Sequence, residues 1–336
     1  MTTFRRSTLG TALFASAIVL SMGCSQQTVT DRTPVPGVAG AVDTDGFTTF
    51  INASEALSLV EAAGDELVLI DARKPDAYAK GHLSGAINLP PNVWRTPKTK
   101  PGEGPSRHFY REGADDSGPL DAAYYNRALG AAGLSADAPV LVYGNHAGKG
   151  DGSVPVMVLH LLGHQGKVYF LDGVGTQRLT EAGFVLATAS AVRPATTYTA
   201  QPKDDAVWDL ADVKAYVDNP DPSVVLWDNR TPEEWDGTEK RGNARGGHVP
   251  GSVYLGFSDL FTPGEAKTVL EREAMKNKLV SAGITPDKTV VIYCQTSTRV
   301  ALPYQALREM GYDKVAIYDG SMSEYANLDD TKLELP

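Results

Sequence analysis

The sequence predicts an α/β protein made of two tandem copies of one domain, each a mainly parallel sheet flanked by helices. Three observations predict it. A set of six landmarks recurs in the same order in the two halves. Short continuous apolar runs, the mark of strands covered on both faces, alternate with amphipathic segments. The 336 residues suffice for two domains of about 150 residues, each with its own core.

The landmarks justify the elements one by one. Leu67-Val-Leu-Ile-Asp-Ala-Arg73 reads as a strand ending in Asp-x-Arg and is echoed by Val224-Val-Leu-Trp-Asp-Asn-Arg230. A Gly-His turn follows in each, Gly81-His-Leu-Ser-Gly-Ala86 and Gly247-His-Val-Pro-Gly-Ser252. Ala132-Gly-Leu134 and Ala282-Gly-Ile284 precede the next strands, Pro139-Val-Leu-Val-Tyr143 and Thr289-Val-Val-Ile-Tyr293. A helical stretch comes next in each, with Pro155 and Pro303 eight residues before Gly163 and Gly311, and Pro303 fits the first turns of its helix, where a missing N–H costs little. In the second copy Val300, Ala301, Tyr304 and Leu307 fall at helical spacing and are expected to face the sheet. Val168-Tyr-Phe-Leu-Asp-Gly173 and Val315-Ala-Ile-Tyr-Asp-Gly320 close the pattern.

These landmarks set expected domains at 46–190 and 206–336, joined by an aperiodic linker at 191–205. The first copy alone carries an extra stretch around Arg95–Pro119, rich in Gly, Pro and charge, which reads as a long surface loop. Upstream, Arg5 and Arg6, the apolar run Leu9–Leu20 and Ser-Met-Gly-Cys at 21–24 describe an export leader, too short to span a membrane. The leader resembles the bacterial lipoprotein signal, which implies lipid on Cys24 and a periplasmic or cell-surface protein anchored to a membrane. A conventionally cleaved leader with an incidental Cys24 is the alternative. Residues 25–45 read as a solvated tether.

A net charge of −10 makes nucleic acid a poor partner. Two cysteines, Cys24 and Cys294, exclude a disulfide framework and leave each thiol to be explained. Cys294 ends an apolar strand and opens Cys-Gln-Thr-Ser-Thr-Arg (294–299), after which a helix is expected. The carboxyl ends of parallel strands border the crevice in which such sheets bind ligands. A helix N-terminus favours anions and the thiolate, and a loop of short polar residues lets its amides form an anion nest. Arg299 is placed to add a positive charge. The first copy has Gly144 where Cys294 stands, and so lacks the nucleophile. A small buried hydrophobe is the structural alternative for Cys294.

The Asp-x-Arg, Gly-His-x-Pro-Gly, Tyr-Cys and Asp-Gly-Ser-x-x-Glu (319–324) motifs, in order and partly in duplicate, resemble the rhodanese superfamily, specifically its tandem-domain thiosulfate/3-mercaptopyruvate sulfurtransferases. The resemblance spans roughly Phe47–Leu328. It implies a silent first domain and a second carrying the catalytic Cys. It also implies transfer of sulfane sulfur through a Cys294 persulfide to a thiol or cyanide, with no cofactor. Gln295, Thr296, Ser297, Thr298 and Arg299 are then expected to bind the donor. Arg230 is a further candidate, with loop bracing as the alternative because Arg73 repeats it in the silent copy. The family loop often has Gly where Ser297 stands, and its late Trp positions are Met322 and Tyr325 here.

Two other functions compete. Phosphatases and arsenate reductases of related fold use a Cys-led loop with Arg six positions on, whereas Arg299 is five after Cys294. A sulfur-carrier or binding module with little turnover is the other. His82 and His248 recur in both copies and read as turn residues. His160 and His164 lack a third ligand at suitable spacing and read as surface or capping residues, so no metal site is expected. Gly144–Ser153 departs from a phosphate loop in spacing, and Asp43-Thr-Asp45-Gly46 lacks the later Glu of a calcium loop.

Overall fold

The computed structural model describes residues 48–96, 108–112, 118–145, 150–171, 176–262 and 269–336. The leader, Cys24, the tether, the Asp43–Gly46 motif and Lys149 lie outside them.

Twelve strands occur among the described residues. They are β1 (Thr48–Ile51), β2 (Val68–Asp71), β3 (His82–Leu83), β4 (Ile87–Asn88), β5 (Val140–Tyr143) and β6 (Val168–Leu171), then β7 (Leu186–Ala187), β8 (Val207–Trp208), β9 (Val224–Asp228), β10 (Val253–Tyr254), β11 (Thr289–Tyr293) and β12 (Val315–Tyr318). The first sheet has the order β1-β6-β5-β2-β4, and the second has β8-β12-β11-β9-β10. Every pairing in both is parallel. The two orders match strand for strand, which is the structural form of the duplication. The continuous apolar runs of β2, β5, β6 and β12 are buried along their whole length, as two-sided helical cover requires.

The helices Ser153–Leu161 and Ala301–Glu309 correspond, each with its Pro at the third position. Neither is amphipathic in the folded chain. Residues 153–161 and 301–308 are buried all round, because apolar side chains of the two halves merge into one cluster there. The expected sheet-facing stripe Val300, Ala301, Tyr304 and Leu307 is buried, but so are its neighbours. The same burial corrects the reading of His160 and His164, neither of which is a surface residue. His160 bridges Tyr304 Oη at 2.7 Å and Lys203 Nζ at 2.8 Å, and His164 lies 3.2 Å from Tyr198 Oη and 2.9 Å from the Ala138 carbonyl. His82 and His248 stack on Tyr78 and Trp235 at the Gly-His turns.

The segment around 188–203 forms no regular element, but Thr196, Gln201 and Lys203 donate backbone hydrogen bonds to Gly130, Leu162 and Leu161 of the first half. The reading of Arg95–Pro119 as a surface loop is corrected at three of its described residues: Arg95, His108 and Phe109 are buried. Trp94 anchors this segment, donating from its indole to the Leu89 carbonyl while its own carbonyl accepts from Tyr125 Oη, both at 2.8 Å.

Candidate active site

Cys294 stands just past β11, the central strand of the second sheet. Its amide donates to Ser321 Oγ at 3.3 Å. Its carbonyl and that of Gln295 accept from the amides of Met322 and Ser323, at 3.1 and 3.0 Å. The loop is thereby stitched to the Asp319–Ser323 segment after β12. Beyond this point the amides are left open. Among the described residues, no protein acceptor is placed on the backbone N–H groups of residues 295–300.

Ser297 supplies the curvature. Its φ is +47°, in the left-handed region that costs a side-chain-bearing residue about 1–2 kcal/mol. Its Oγ engages the Tyr318 and Asp319 carbonyls at 3.0 and 2.7 Å and Ser321 Oγ at 3.0 Å. The serine that departs from the family's Gly thus adopts a glycine-like conformation and is held there by its hydroxyl. Gln295 forms a reciprocal amide pair with Asn243, at 2.9 and 3.1 Å.

Both arginines expected to meet an anion are already engaged. Arg230 donates to both Asp228 oxygens at 2.6–3.0 Å and to the Gly247 carbonyl at 2.8 Å. Arg73 does the same with Asp71 and Gly81 in the first half. The geometry is that of a brace tying the end of β9 to the Gly-His turn. Arg299 makes a two-pronged pair with Glu234, at 2.6 and 2.7 Å. Burial pulls the Arg299 guanidinium down, but Glu234 and then Cys294 hold it above its ordinary value. Burial pushes Glu234 up, and Arg299 more than offsets this, leaving it below the usual carboxylate range. The charge expected from Arg299 is therefore cancelled locally.

The sulfur itself is more enclosed than expected. Cys294 is 1% exposed and belongs to the merged apolar cluster, so the open crevice foreseen at this strand end is closed over it.

Three participants carried no sequence signal, and a fourth, Asp319, was marked only as the first residue of the Asp-Gly-Ser-x-x-Glu motif. Glu234 is the third residue of a capped helix, Pro232–Trp235, whose Thr-Pro-Glu-Glu signature was readable as a capping box but not as a partner for Arg299. The other three come from the first half or lie below the loop. Arg95 donates to the Thr296 carbonyl at 2.8 Å and to Thr298 Oγ1. His108 donates its amide to Asp319 Oδ1 at 3.0 Å, and its ring lies 2.9 Å from Ser323 Oγ. Asp319 is pushed up to about 6 by burial, tempered by Arg111, the His108 amide and Arg95.

The matching loop of the first half is built differently. A Cβ at Gly144 would lie 2.5 Å from Asp151 Oδ1 and 2.4 Å from the Gly152 amide, so no side chain fits where Cys294 has its counterpart. Asp151 Oδ1 accepts from the amides of Asn145 and Gly152, at 3.1 and 3.2 Å. An internal carboxylate occupies that loop. No grouping of three or more potential metal ligands occurs among the described residues.

Comparison with known proteins places this geometry among relatives. The model of the rhodanese-like domain matches twice, at residues 52–174 and 209–328. The chain is 29% identical over 275 residues to a thiosulfate sulfurtransferase of Azotobacter vinelandii, covering 80% of this chain and 92% of that protein. It is 27% identical over 270 residues to a thiosulfate sulfurtransferase of Pseudomonas aeruginosa, again covering 80% and 92%. Among solved structures, the anaerobic ergothioneine biosynthesis enzyme of Chlorobium limicola superposes with a TM-score of 0.71 at 18% identity, over 85% of this chain and 70% of that one. At that identity the likeness is one of fold.

Proposed function

The chain belongs to the rhodanese-like domain family in both halves, and from that premise we propose that it carries sulfane sulfur from thiosulfate to a thiol or cyanide through a persulfide on Cys294. The observation that carries this reading is the run of amides at residues 295–300 with no protein acceptor, following directly on Cys294. Backbone donors aimed at developing negative charge need no reorganisation during reaction, and in a dry site they act more strongly than in water. The silent half supports the same view, since its corresponding loop amides hold the Asp151 carboxylate.

The chemistry is a two-step nucleophilic exchange. The Cys294 thiolate attacks the outer sulfur of thiosulfate, the sulfur–sulfur bond of the donor breaks, and sulfite leaves with the bonding electron pair. An acceptor thiolate or cyanide then attacks the outer persulfide sulfur and returns Cys294 to the thiolate. The amides stabilise anionic sulfur in both states. With Cys294 nearly enclosed, the reading requires the groups over the sulfur to yield to the entering donor. 3-Mercaptopyruvate would load the same sulfur with pyruvate as the leaving group.

A phosphatase fits less well. Its arginine would have to embrace a tetrahedral oxyanion, whereas Arg299 is held by Glu234. Parallel assays test the choice. Sulfur transfer from thiosulfate to cyanide is expected, with the parallel double-reciprocal lines of a ping-pong mechanism. Hydrolysis of a phosphate monoester with no sulfur transfer would overturn the proposal.

A further inference from the structure

We propose that Arg95, carried by the half that lacks the nucleophile, is a positioning residue for the Cys294 loop, clamping residues 296 and 298 and supplying the positive charge that balances anionic sulfur at position 294. The inference rests on Cys294 working as a thiolate, as in the reading above.

Five guanidinium groups lie near this end of the sheet among the described residues. Arg230 is paired with Asp228, Arg299 with Glu234, on which exposed Arg241 also closes at 3.9 Å, and Arg111 lies 3.8 Å from Asp319. Arg95 is different. Among the described residues it has no carboxylate within ion-pair distance, and its Nε–H has no acceptor. It is nevertheless only 6% exposed. An unpaired buried cation costs several kcal/mol, so a protein that keeps one is arranged to place an anion near it. Other charged or titratable groups around Arg95 and the loop include His108, on Asp319 and Ser323, Tyr125, which donates to the Trp94 carbonyl at 2.8 Å, and Glu324, which accepts from Tyr318 Oη at 2.6 Å. Burial pulls the Arg95 guanidinium below its ordinary value, and the fields of Asp319 and Cys294 oppose that.

The clamp has a structural consequence as well. Because the peptide unit is planar and trans, a Thr296 carbonyl held by Arg95 at 2.8 Å fixes the direction of the following Ser297 N–H. Gly150, also from the first half, closes the other side, where a Cβ would lie 2.6 Å from Thr298 Cγ2. Arg95 is itself rigidly presented. Its amide donates to the Pro91 carbonyl at 3.1 Å, and the Thr96 amide donates to the His108 carbonyl at 3.1 Å. The first half, without a nucleophile of its own, thus completes the site of the second.

The test compares the full chain with Arg95→Gln and Arg95→Lys, following thiolate absorbance against pH as the difference from matched Cys294→Ala chains. This readout does not depend on reagent access to the sulfur. The midpoint is expected to move upward by about one pH unit in Arg95→Gln, the size of effect a nearby opposite charge exerts. It returns most of the way in Arg95→Lys, which restores the charge without the fork. Arg95→Met replaces Arg95→Gln if that chain does not fold. An unmoved midpoint, or one that Lys fails to restore, overturns the inference. A moved midpoint in a chain that takes no sulfur from thiosulfate would instead overturn the sulfurtransferase reading and leave Arg95 in its role.

Discussion

Cys294→Ser is expected to lower sulfur transfer from thiosulfate to cyanide by at least about 10³-fold while the chain still unfolds cooperatively. The loss follows from chemistry rather than from fit. A serine hydroxyl is not ionised near neutral pH, and it has no route to a persulfide, whose defining bond joins two sulfurs. The fold has reason to survive. The substitution keeps the side chain nearly isosteric and leaves the bond from the residue-294 amide to Ser321 Oγ in place. The Asp319–Ser323 stitching runs through backbone groups that the substitution does not remove. Turnover retained at the wild-type level would show that the sulfur is carried elsewhere.

The second large effect is on stability. Arg230→Ala is expected to cost about 3–5 kcal/mol, because it strands the Asp228 carboxylate, which is fully buried, without its counter-ion. Thiosulfate KM in the folded protein is expected to change little, since Arg230 spends its donors on Asp228 and Gly247. Arg73→Ala provides a control from the half with no nucleophile. Its pair with Asp71 and Gly81 has the same geometry, so urea unfolding of the two variants should give losses of similar size. A large rise in KM with little loss of stability in Arg230→Ala would mark Arg230 as a substrate ligand.

The repeat made most of the architecture legible. Strand runs such as 67–71 and 224–228 recur with their Asp-x-Arg ends, and both sheets repeat one strand order. Position 294 was legible for the same reason, as the place where otherwise matching copies part at Gly144 and Cys294. The long-range partners were not. Arg95 lies in a stretch the second copy lacks, so no counterpart marks it, and its targets Thr296 and Thr298 are some two hundred positions away in the chain. Glu234 reads locally as a helix cap, and only the fold brings it to Arg299. His160 read as a surface or capping residue because one copy's sequence cannot show that Tyr304 of the other packs on it, and His164 did so because its partners Tyr198 and Ala138 are more than twenty positions away.

The most direct test of Cys294 as a sulfur carrier is the intact mass of the protein after brief exposure to thiosulfate. The wild type should gain one sulfur atom, located on the peptide bearing Cys294 and removed by cyanide, and Cys294→Ser should gain none. A wild type that takes up no sulfur, or a serine variant that still does, would contradict the account.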